Sequence, residues 1–338
     1  MIQAIISKLA EKHNLTEDEA GQAMLEIMEG KATDAQIAAF LVGLRLKRET
    51  IDEITACARI MRQKASSIDP KAKFLVDTCG TGGDKSNTFN ISTAAAFVAS
   101  GAGASVAKHG NKSISSKCGS ADVLKELGVN IELSPKQAEK CIEEIGIGFM
   151  FAPIFHPAMK FASNARKEIG IRTIFNLLGP LANPANAKSQ LIGVFDESML
   201  HVFAEVLKNL GSEHVIIVNG DGIDEITVCA KTKVCELKGG RIESYEISPE
   251  DFGLKISSLN SIAGGTPQEN ANIILDILSG AKGPKRDVVL MNAAAALLAA
   301  GKAKGYKDGI ELAAQSIDSR NAMKKLNELE KFTNLNRK

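Results

Sequence analysis

The sequence lacks a strong charge of either sign. Among its 338 residues, 41 are Lys or Arg and 40 are Asp or Glu, so the formal net charge is +1. Proteins that cover nucleic acid with a broad basic surface carry a clear excess of Lys and Arg. The near balance therefore argues against a nucleic-acid partner and favours a local basic pocket for a small molecule.

Long apolar runs are also absent. No segment reaches the ~20 apolar residues of a membrane-spanning helix, and the amphipathic N-terminus does not have the regions of a signal peptide. The six cysteines form no Cys-x-x-Cys pair and have no histidines at zinc-binding spacing, which is typical of reduced cysteines. We therefore expect a cytoplasmic protein with no membrane partner and no disulfides.

Neither of the two commonest phosphate-binding motifs occurs. Gly-x-x-x-x-Gly-Lys-[Ser/Thr] is missing, and Gly80, Gly82 and Gly83 do not complete Gly-x-Gly-x-x-Gly. The ATPase and dinucleotide-binding interpretations are both weakened as a result. With 44% hydrophobic and 24% charged residues, the composition is that of an ordinary globular protein, and 338 residues are enough for two domains.

A glycine-rich segment at 77–93 is the most informative feature that is present. It combines three glycines and two carboxylates with hydroxyl and amide side chains, between an apolar strand and an Ala-rich helix. Glycines let the backbone approach a ligand, and the N–H groups that open the next helix attract phosphate oxygens. The segment predicts a phosphorylated ligand, although a tight turn needed only for packing is the alternative for such a loop taken alone.

A second segment of the same kind follows at 108–122. Three lysines supply positive charge, Gly110 and Gly119 give access to the backbone, and four serines supply hydroxyl donors. A solvated basic loop is the alternative interpretation of the lysines. The interleaved Gly, Asn and Ser residues favour phosphate binding over that alternative.

The order of the helix and strand patterns predicts the fold class. Up to about residue 64 the pattern is helical, with a capping box at Thr16–Glu19 and another helix start at Thr33–Gln36. After a polar connection, helical patterns alternate with apolar strands at 74–77, 105–108, 148–151, 191–195 and 215–219, and then with antiparallel strands within 226–246.

Such alternation is typical of the α/β class. We predict a small all-helical N-terminal domain at 1–68 and a large α/β domain at 74–338. The large domain is expected to have a central mixed sheet surrounded by helices and to carry both phosphate-binding loops.

The two loops belong to a longer series of blocks: Gly80–Asp84, Asn90–Thr93, Lys108–Asn111, 115–128, 152–160, Arg166, 172–184 and 220–225. In order and spacing the series resembles the anthranilate phosphoribosyltransferase family, and it extends over nearly the whole chain. Several blocks in the same order are more specific than one glycine loop. The resemblance implies an enzyme of tryptophan biosynthesis that transfers the phosphoribosyl group of phosphoribosyl pyrophosphate to the amine of anthranilate and releases pyrophosphate.

The same resemblance implies how the parts of the chain are arranged. A segment near 157–181 is expected to return to the helical domain, which places the active site in the cleft between the two domains. A homodimer formed through the helical domain is also implied.

For phosphoribosyl pyrophosphate, the resemblance implies a site built from both loops. Its residues are Gly80, Gly83, Asp84, Thr88, Asn90, Ile91, Ser92, Thr93, Lys108, His109, Gly110, Asn111, Lys112, Ser113, Ile114, Ser115, Ser116 and Ser120. Lys108, Asn90 and Thr93 are the candidates for the 5′-phosphate, and the glycine loop is the candidate for the pyrophosphate.

For anthranilate, the implied residues are Gly80, Asn111, Arg166, His109, His156 and Pro180. Arg166 suits the carboxylate of the acceptor, because a guanidinium presents a planar fork of donors. Either histidine could instead be a neutral, packed core residue. An aromatic amine is already neutral at pH 7, so we assign no catalytic acid or base.

A magnesium site is expected at Asp224 and Glu225, which follow a glycine turn after an apolar strand. Ligands bind at such strand ends in open α/β sheets, and Mg²⁺ takes one or two carboxylates together with water and substrate phosphate. By themselves the two residues also fit an ordinary acidic turn. The resemblance selects them, adds Ser92 as a further ligand and implies two Mg²⁺ ions.

Two other functions stay open. A pyrimidine-nucleoside phosphorylase shares this architecture and also acts at a ribosyl C1, but it uses inorganic phosphate and a base. The acidic pair and the two loops favour a metal-bound pyrophosphate substrate over that reaction. A non-catalytic relative that binds nucleic acid is the second alternative, and the near-zero net charge argues against it.

Overall fold

The structure is a computed structural model that describes residues 1–84, 86–113 and 117–335. Its N-terminal part is helical, with α1 at Ile2–Ala10, α2 at Glu17–Met28, α3 at Asp34–Lys47 and α4 at Ile51–Gln63. The Thr16 hydroxyl accepts the Glu19 N–H at 3.2 Å, and the Thr33 hydroxyl accepts the Gln36 N–H at 3.3 Å. Both predicted helix starts are thus confirmed.

A buried ion pair joins α3 to α4. Lys47 Nζ lies 2.8 Å from Glu53 Oε2, and the two side chains are 4% and 0% exposed. Glu53 also accepts the N–H groups of Leu15 and Thr50, each at 2.8 Å. Removing one partner of such a pair destabilises a protein by about 3–5 kcal/mol. The pair therefore ties the α1–α2 connection to the rest of the helical part.

Within the described residues, seven strands form one mixed sheet in the order β3-β2-β1-β4-β5-β6-β7. They are β1 at Leu75–Gly80, β2 at Ser105–Gly110, β3 at Ile147–Phe151, β4 at Ser189–Gly193, β5 at His214–Asn219, β6 at Thr232–Lys238 and β7 at Arg241–Ile247. Strands β1 to β5 run parallel, whereas β6 and β7 are antiparallel to their neighbours. The predicted α/β class with a mixed sheet is confirmed.

Helices cover both faces of the sheet. They are α5 at Ile91–Gly101, α6 at Ser120–Glu126, α7 at Pro135–Ile145, α8 at Ala152–Phe155, α9 at Lys160–Ile169, α10 at Phe175–Leu181, α11 at Met199–Asn209, α12 at Pro267–Leu278, α13 at Pro284–Ala299, α14 at Tyr306–Asp318 and α15 at Asn321–Leu335. Across the described ranges, none of the helices is long and apolar enough to cross a membrane.

Two apolar cores lie on opposite faces of the sheet, because successive strand residues point in opposite directions. Leu191 packs in the core that contains α5 and α13, whereas Ile192 packs in the core that contains α11 and the N-terminal helices. Ala162 of α9 and Leu178 of α10 belong to this second core, and α9 contacts α2 and α3. The domain limits at 1–68 and 74–338, and the return of 157–181, remain predictions.

Several predicted strand limits differ from the observed ones by a few residues. The antiparallel strands expected within 226–246 are present as β6 and β7, but the first begins only at Thr232, and Ile226 bonds instead to Asn292 of α13. Asn292 Nδ2 donates to the Ile226 carbonyl at 2.8 Å, and its Oδ1 accepts the Ile226 N–H at 3.0 Å. Strand β1 continues beyond residue 77, because it pairs with β4 as far as Gly80 opposite Gly193.

Candidate active site

The carboxyl ends of the parallel strands bring the predicted site segments to one edge of the sheet. The glycine loop follows β1, the second loop follows β2, and the turn with the acidic pair follows β5. Open α/β sheets bind their ligands at this edge. Ile114, Ser115 and Ser116 lie outside the described residues.

The glycine loop and the acidic pair are joined by hydrogen bonds. The Gly82 N–H donates to Asp224 Oδ2 at 2.7 Å, and the Ser92 N–H donates to Glu225 Oε1 at 3.0 Å. The Asp224 N–H faces Asp84 Oδ2 at 3.4 Å. The first loop, the start of α5 and the acidic pair therefore form one continuous surface.

Burial sets the electrostatics of the acidic pair. It raises the pKa of Asp224 well above its ordinary value, and the nearby carboxylates of Asp84 and Glu225 raise it further. Burial also raises the pKa of Glu225 to about 7, against the opposing effect of Lys108. Concentrated negative charge of this kind is stabilised by a divalent cation with oxygen ligands.

Lys108 supplies positive charge beneath the two loops. Its side chain is buried, and Nζ donates to the Thr78 carbonyl and lies 3.3 Å from Ser92 Oγ. Burial lowers the pKa of Lys108, while the acidic neighbours oppose that shift. The ammonium thus lies against the start of α5, close to the Ser92 and Glu225 pair.

Asn90 links three segments of the chain. Its Nδ2 donates to the Cys118 carbonyl at 3.2 Å, and its Oδ1 accepts Asn270 Nδ2 at 2.9 Å. Asn270 comes from α12 and also accepts the Gly265 N–H at 2.7 Å. The Thr93 hydroxyl is buried and has no hydrogen-bond partner in the part of the chain that the structure describes. Asn90 is therefore held in place by its neighbours, whereas no hydrogen bond to the described residues uses the Thr93 hydroxyl.

Other predicted residues of the first loop bond within it. Asp84 Oδ2 accepts Ser86 Oγ at 2.6 Å, and Ser86 Oγ lies 3.2 Å from Thr88 Oγ1. Ile91 is buried at the start of α5. These contacts fix the shape of the loop. Its glycines lie on the surface that the loop forms with the start of α5 and the acidic pair.

The second loop is organised around Asp122 at the start of α6. Asp122 Oδ2 accepts the N–H groups of Ser113 at 3.0 Å and Gly119 at 2.9 Å. Ser120 Oγ donates to the Asn111 carbonyl at 3.3 Å, and the Lys112 N–H donates to Asn111 Oδ1 at 2.8 Å. Ser120 lies so close to Gly110 that a Cβ at Gly110 would overlap it.

Two histidines proposed for the acceptor lie side by side. The rings of His109 and His156 have centroids 5.0 Å apart, and His109 Nδ1 lies 3.1 Å from the carbonyl of Gly179, next to Pro180. Within the described residues, Nε2 of each ring is buried and has no hydrogen-bond partner. Burial lowers the pKa of His109 to about 3 and that of His156 to about 4, so both rings are neutral at pH 7.

Arg166 lies on α9, with its guanidinium 4.9 Å from the ring centroid of Phe175 on α10. Burial lowers the pKa of Arg166, although an arginine stays charged at pH 7. The contact with Phe175 links α9, which carries Arg166, to α10, which carries Pro180.

Three further residues contact the site but were not assigned to it from the sequence. Asn270 holds Asn90, Asp122 holds the second loop, and Arg172 donates a hydrogen bond to the carbonyl of Gly83. Asn270 and Arg172 are far from their partners in sequence, so no local pattern points to them. The Asp122 interaction could have been found, since an acidic residue at the third helical position typically closes a capping box.

The same residues include oxygen ligands suited to a metal ion. Across the described ranges, no group of three or more His, Cys, Asp and Glu side chains is placed to hold a metal ion. Ser92, Asp224 and Glu225 supply one hydroxyl and two carboxylates, and Mg²⁺ commonly completes such an incomplete protein site with water and substrate phosphates. The donor set fits magnesium that arrives with a phosphorylated substrate.

The chain is similar to known proteins over nearly its whole length. A glycosyl transferase family model for the helical bundle domain matches residues 3–65, and one for the a/b domain matches residues 72–323. The anthranilate phosphoribosyltransferase of Acetivibrio thermocellus is 54% identical over 335 residues, which is 99% of this chain and 97% of the relative. The chain belongs to the anthranilate phosphoribosyltransferase family.

Solved structures of anthranilate phosphoribosyltransferases have the same fold. The enzyme from Thermus thermophilus is 41% identical, has a TM-score of 0.92 and matches 97% of this chain and 99% of its own. The enzyme from Saccharomyces cerevisiae in complex with PRPP and Mg is 29% identical, has a TM-score of 0.90 and matches 99% of this chain and 98% of its own. The same yeast enzyme is known in complex with 4-fluoroanthranilate.

Proposed function

We propose that this chain transfers the phosphoribosyl group of phosphoribosyl pyrophosphate to the amine of anthranilate, which gives N-(5-phosphoribosyl)anthranilate and pyrophosphate in tryptophan biosynthesis. One observation carries the proposal: the Gly82–Asp224 and Ser92–Glu225 hydrogen bonds join the phosphate loop to the acidic pair beside the buried ammonium of Lys108. Family membership supports the same reaction.

The diphosphate is assigned to the glycine loop and the 5′-phosphate to Asn90, Thr93 and Lys108. The unpartnered hydroxyl of Thr93, taken within the described residues, and the positive charge of Lys108 support this assignment. Loop glycines suit the bulky diphosphate, because Gly82 and Gly83 adopt positive φ angles of 68° and 77° that few other residues tolerate. The complex of the yeast relative with PRPP and Mg is in line with such a substrate.

Magnesium dependence is part of the proposal. Ser92, Asp224 and Glu225 would hold the metal, and two ions per site are proposed. When bound, Mg²⁺ neutralises negative charge on the pyrophosphate leaving group. The protein residues would orient the diphosphate, and the half-buried side chains of Asp224 and Glu225 lie close to the buried Lys108.

The acceptor is assigned to Arg166, Asn111, Gly80, His109, His156 and Pro180. Arg166 would bind the carboxylate of anthranilate, and the neutral rings of His109 and His156 would line the path of its aromatic ring. Neither ring is protonated at pH 7, and the amine of anthranilate is itself neutral. Catalysis therefore relies mainly on holding the amine against C1 and on charge stabilisation at the leaving group.

Consumption of anthranilate tests the proposal directly. Purified protein is mixed with anthranilate and phosphoribosyl pyrophosphate, with and without Mg²⁺, and anthranilate fluorescence is followed. We expect the signal to fall only when both substrates and Mg²⁺ are present. Turnover of uridine or thymidine with phosphate, but not of anthranilate, would instead identify a pyrimidine-nucleoside phosphorylase. Salt-sensitive DNA binding without turnover would identify a nucleic-acid-binding protein.

We also propose a cytoplasmic homodimer formed through the helical part. This proposal rests on the resemblance to the family. Light scattering of the purified protein gives the mass in solution, and a monomeric mass at all concentrations would contradict the dimer.

A further inference from the structure

Arg172 connects the helical part of the molecule to the glycine loop. It lies in the connection between α9 and α10, just after Gly170, which ends α9 with a φ of 65°. Helix α9 packs against α2 and α3, so this connection is anchored on the helical side. The side chain of Arg172 extends from there to the loop that follows β1.

Two contacts hold the guanidinium of Arg172 at the loop. It donates a hydrogen bond to the carbonyl of Gly83, and its Cζ lies 4.1 Å from the ring centroid of Phe195. The Phe195 N–H in turn faces Thr81 Oγ1 at 3.3 Å. A planar guanidinium can stack on an aromatic ring while donating from its edge, which a lysine ammonium cannot do.

Two side chains from different parts of the chain hold the glycine loop. A Cβ on Gly83 would lie 2.6 Å from Nη2 of Arg172, so the loop fits closely around the guanidinium. The neighbouring Gly82 N–H is held by Asp224 Oδ2 at 2.7 Å. The conformation of the loop therefore depends both on the acidic pair and on the position of Arg172.

Arg166 lies on the same segment as Arg172. Its helix is anchored by buried Ala162 and Ala165, and its guanidinium lies on the Phe175 ring of α10. A ligand bound by Arg166 restrains α9 and α10, and the connection that carries Arg172 is restrained with them. Because Arg172 donates a hydrogen bond to the Gly83 carbonyl, restraining this connection also restrains the glycine loop.

We propose that Arg172 is a positioning residue that couples binding of the aromatic carboxylate at Arg166 to binding of the diphosphate at the glycine loop. The proposal rests on the proposed function for the location of the two ligands. Coupling of two sites is reciprocal, so each ligand raises the affinity for the other by the same factor. A purely structural role for Arg172 would change stability or both affinities, but not this factor.

Equilibrium titration measures the coupling factor. Anthranilate binding is followed by its fluorescence, with and without saturating magnesium pyrophosphate, which offers a diphosphate but no phosphoribosyl group to transfer. The protein has no Trp, so no Trp emission overlaps with the signal. We expect pyrophosphate to tighten anthranilate binding to the wild-type protein at least about fivefold, and the Arg172→Ala variant to show a factor near one.

Three further variants sharpen the test. Arg172→Lys keeps the charge but loses the fork, and Phe195→Leu removes the stacking surface, so both are expected to show a reduced factor. Lys167→Ala removes a positive charge from an exposed position on α9 and is expected to keep the wild-type factor. Should Arg172→Ala fail to fold, as judged by its thermal unfolding, Arg172→Lys and Phe195→Leu decide the question.

The outcomes separate this inference from the proposed function. A wild-type factor near one, or an unchanged factor in the Arg172 and Phe195 variants, overturns the coupling. Consumption of anthranilate with phosphoribosyl pyrophosphate is measured on the same wild-type sample. Turnover with an unchanged factor in the variants contradicts the coupling alone, whereas no turnover contradicts the proposed function.

Discussion

Gly80 lies so close to Asp224 that a Cβ on the glycine would overlap the Asp224 carboxylate. Gly193, which pairs with Gly80 across β1 and β4, leaves room in the same way for the Asp224 backbone. The acidic pair therefore reaches the strand ends only because both neighbouring strands end in glycine. A larger side chain at Gly80 therefore tests whether the position of Asp224 matters for turnover.

Replacing Gly80 by Ala is expected to displace the Asp224 carboxylate. A shift of about 1 Å in such a site lowers kcat/KM by up to about 100-fold, and we expect a loss of about 10- to 100-fold for Gly80→Ala. Initial rates of anthranilate consumption measure the loss. Gly305→Ala is the matched control, because within the described residues no atom beyond its chain neighbours lies within 4 Å of the added Cβ. Wild-type rates for Gly80→Ala would show that the close packing is irrelevant to turnover.

The double change Asp224→Asn with Glu225→Gln removes both carboxylates and keeps their shape. We expect kcat to fall by at least about 100-fold, because charge stabilisation at the leaving group is lost. The Mg²⁺ concentration needed for half-maximal rate should also rise. Asp221→Asn serves as the control, since Asp221 is an exposed carboxylate in the same turn, with a φ of 57° that Asn accepts. An unchanged Mg²⁺ dependence in the double variant would remove this pair from the metal site.

Changing Arg166 to Ala is expected to weaken the acceptor selectively. Loss of a charge-assisted pair of hydrogen bonds raises the KM for anthranilate by about 10- to 100-fold. The KM for phosphoribosyl pyrophosphate should change much less, because its residues lie on other elements. Lys167→Ala, on the same helix, controls for the loss of positive charge. Equal increases in both KM values would mean that Arg166 does not bind the carboxylate.

The two buried histidines predict how stability depends on pH. Burial lowers the pKa of His109 to about 3 and of His156 to about 4, whereas both titrate near 6.5 in the unfolded chain. Below about pH 6.5 the unfolded chain therefore binds more protons than the folded protein. The contribution of the two histidines to the free energy of unfolding should fall between about pH 6.5 and 4, by up to ~1.4 kcal/mol per pH unit for each histidine, whereas Glu225, whose pKa is raised to about 7, contributes in the opposite direction.

Urea unfolding at about pH 7, 6 and 5 measures this slope. The single variants His109→Gln and His156→Gln should each flatten it, because each removes one group that gains a proton on unfolding. His13→Gln, at an exposed position, should leave the slope unchanged. Slopes in both buried-site variants equal to that of the wild-type protein would show that these histidines are not held neutral by the fold.

The parts of the candidate site that depend on neighbouring residues in the sequence could be predicted from the sequence alone. Gly82 and Gly83 stand where the backbone adopts positive φ, and Asp224 and Glu225 stand just after a strand, so each pattern carries its own physical reason. Asn270 was not predictable, because it lies within an ordinary helix far along the chain from Asn90. The assignment of each residue to a ligand stays a prediction.

The sequence alone was sufficient for the α/β class, the two loops and the family, since these depend on local periodicity, on glycines and small polar residues, and on the order of several blocks. The folded chain alone revealed that Gly82 and Ser92 bond to Asp224 and Glu225, that His109 lies beside His156, and that Arg172 reaches Gly83. Such pairs are distant in sequence, and their contact depends on how strands and helices pack, which no local pattern records.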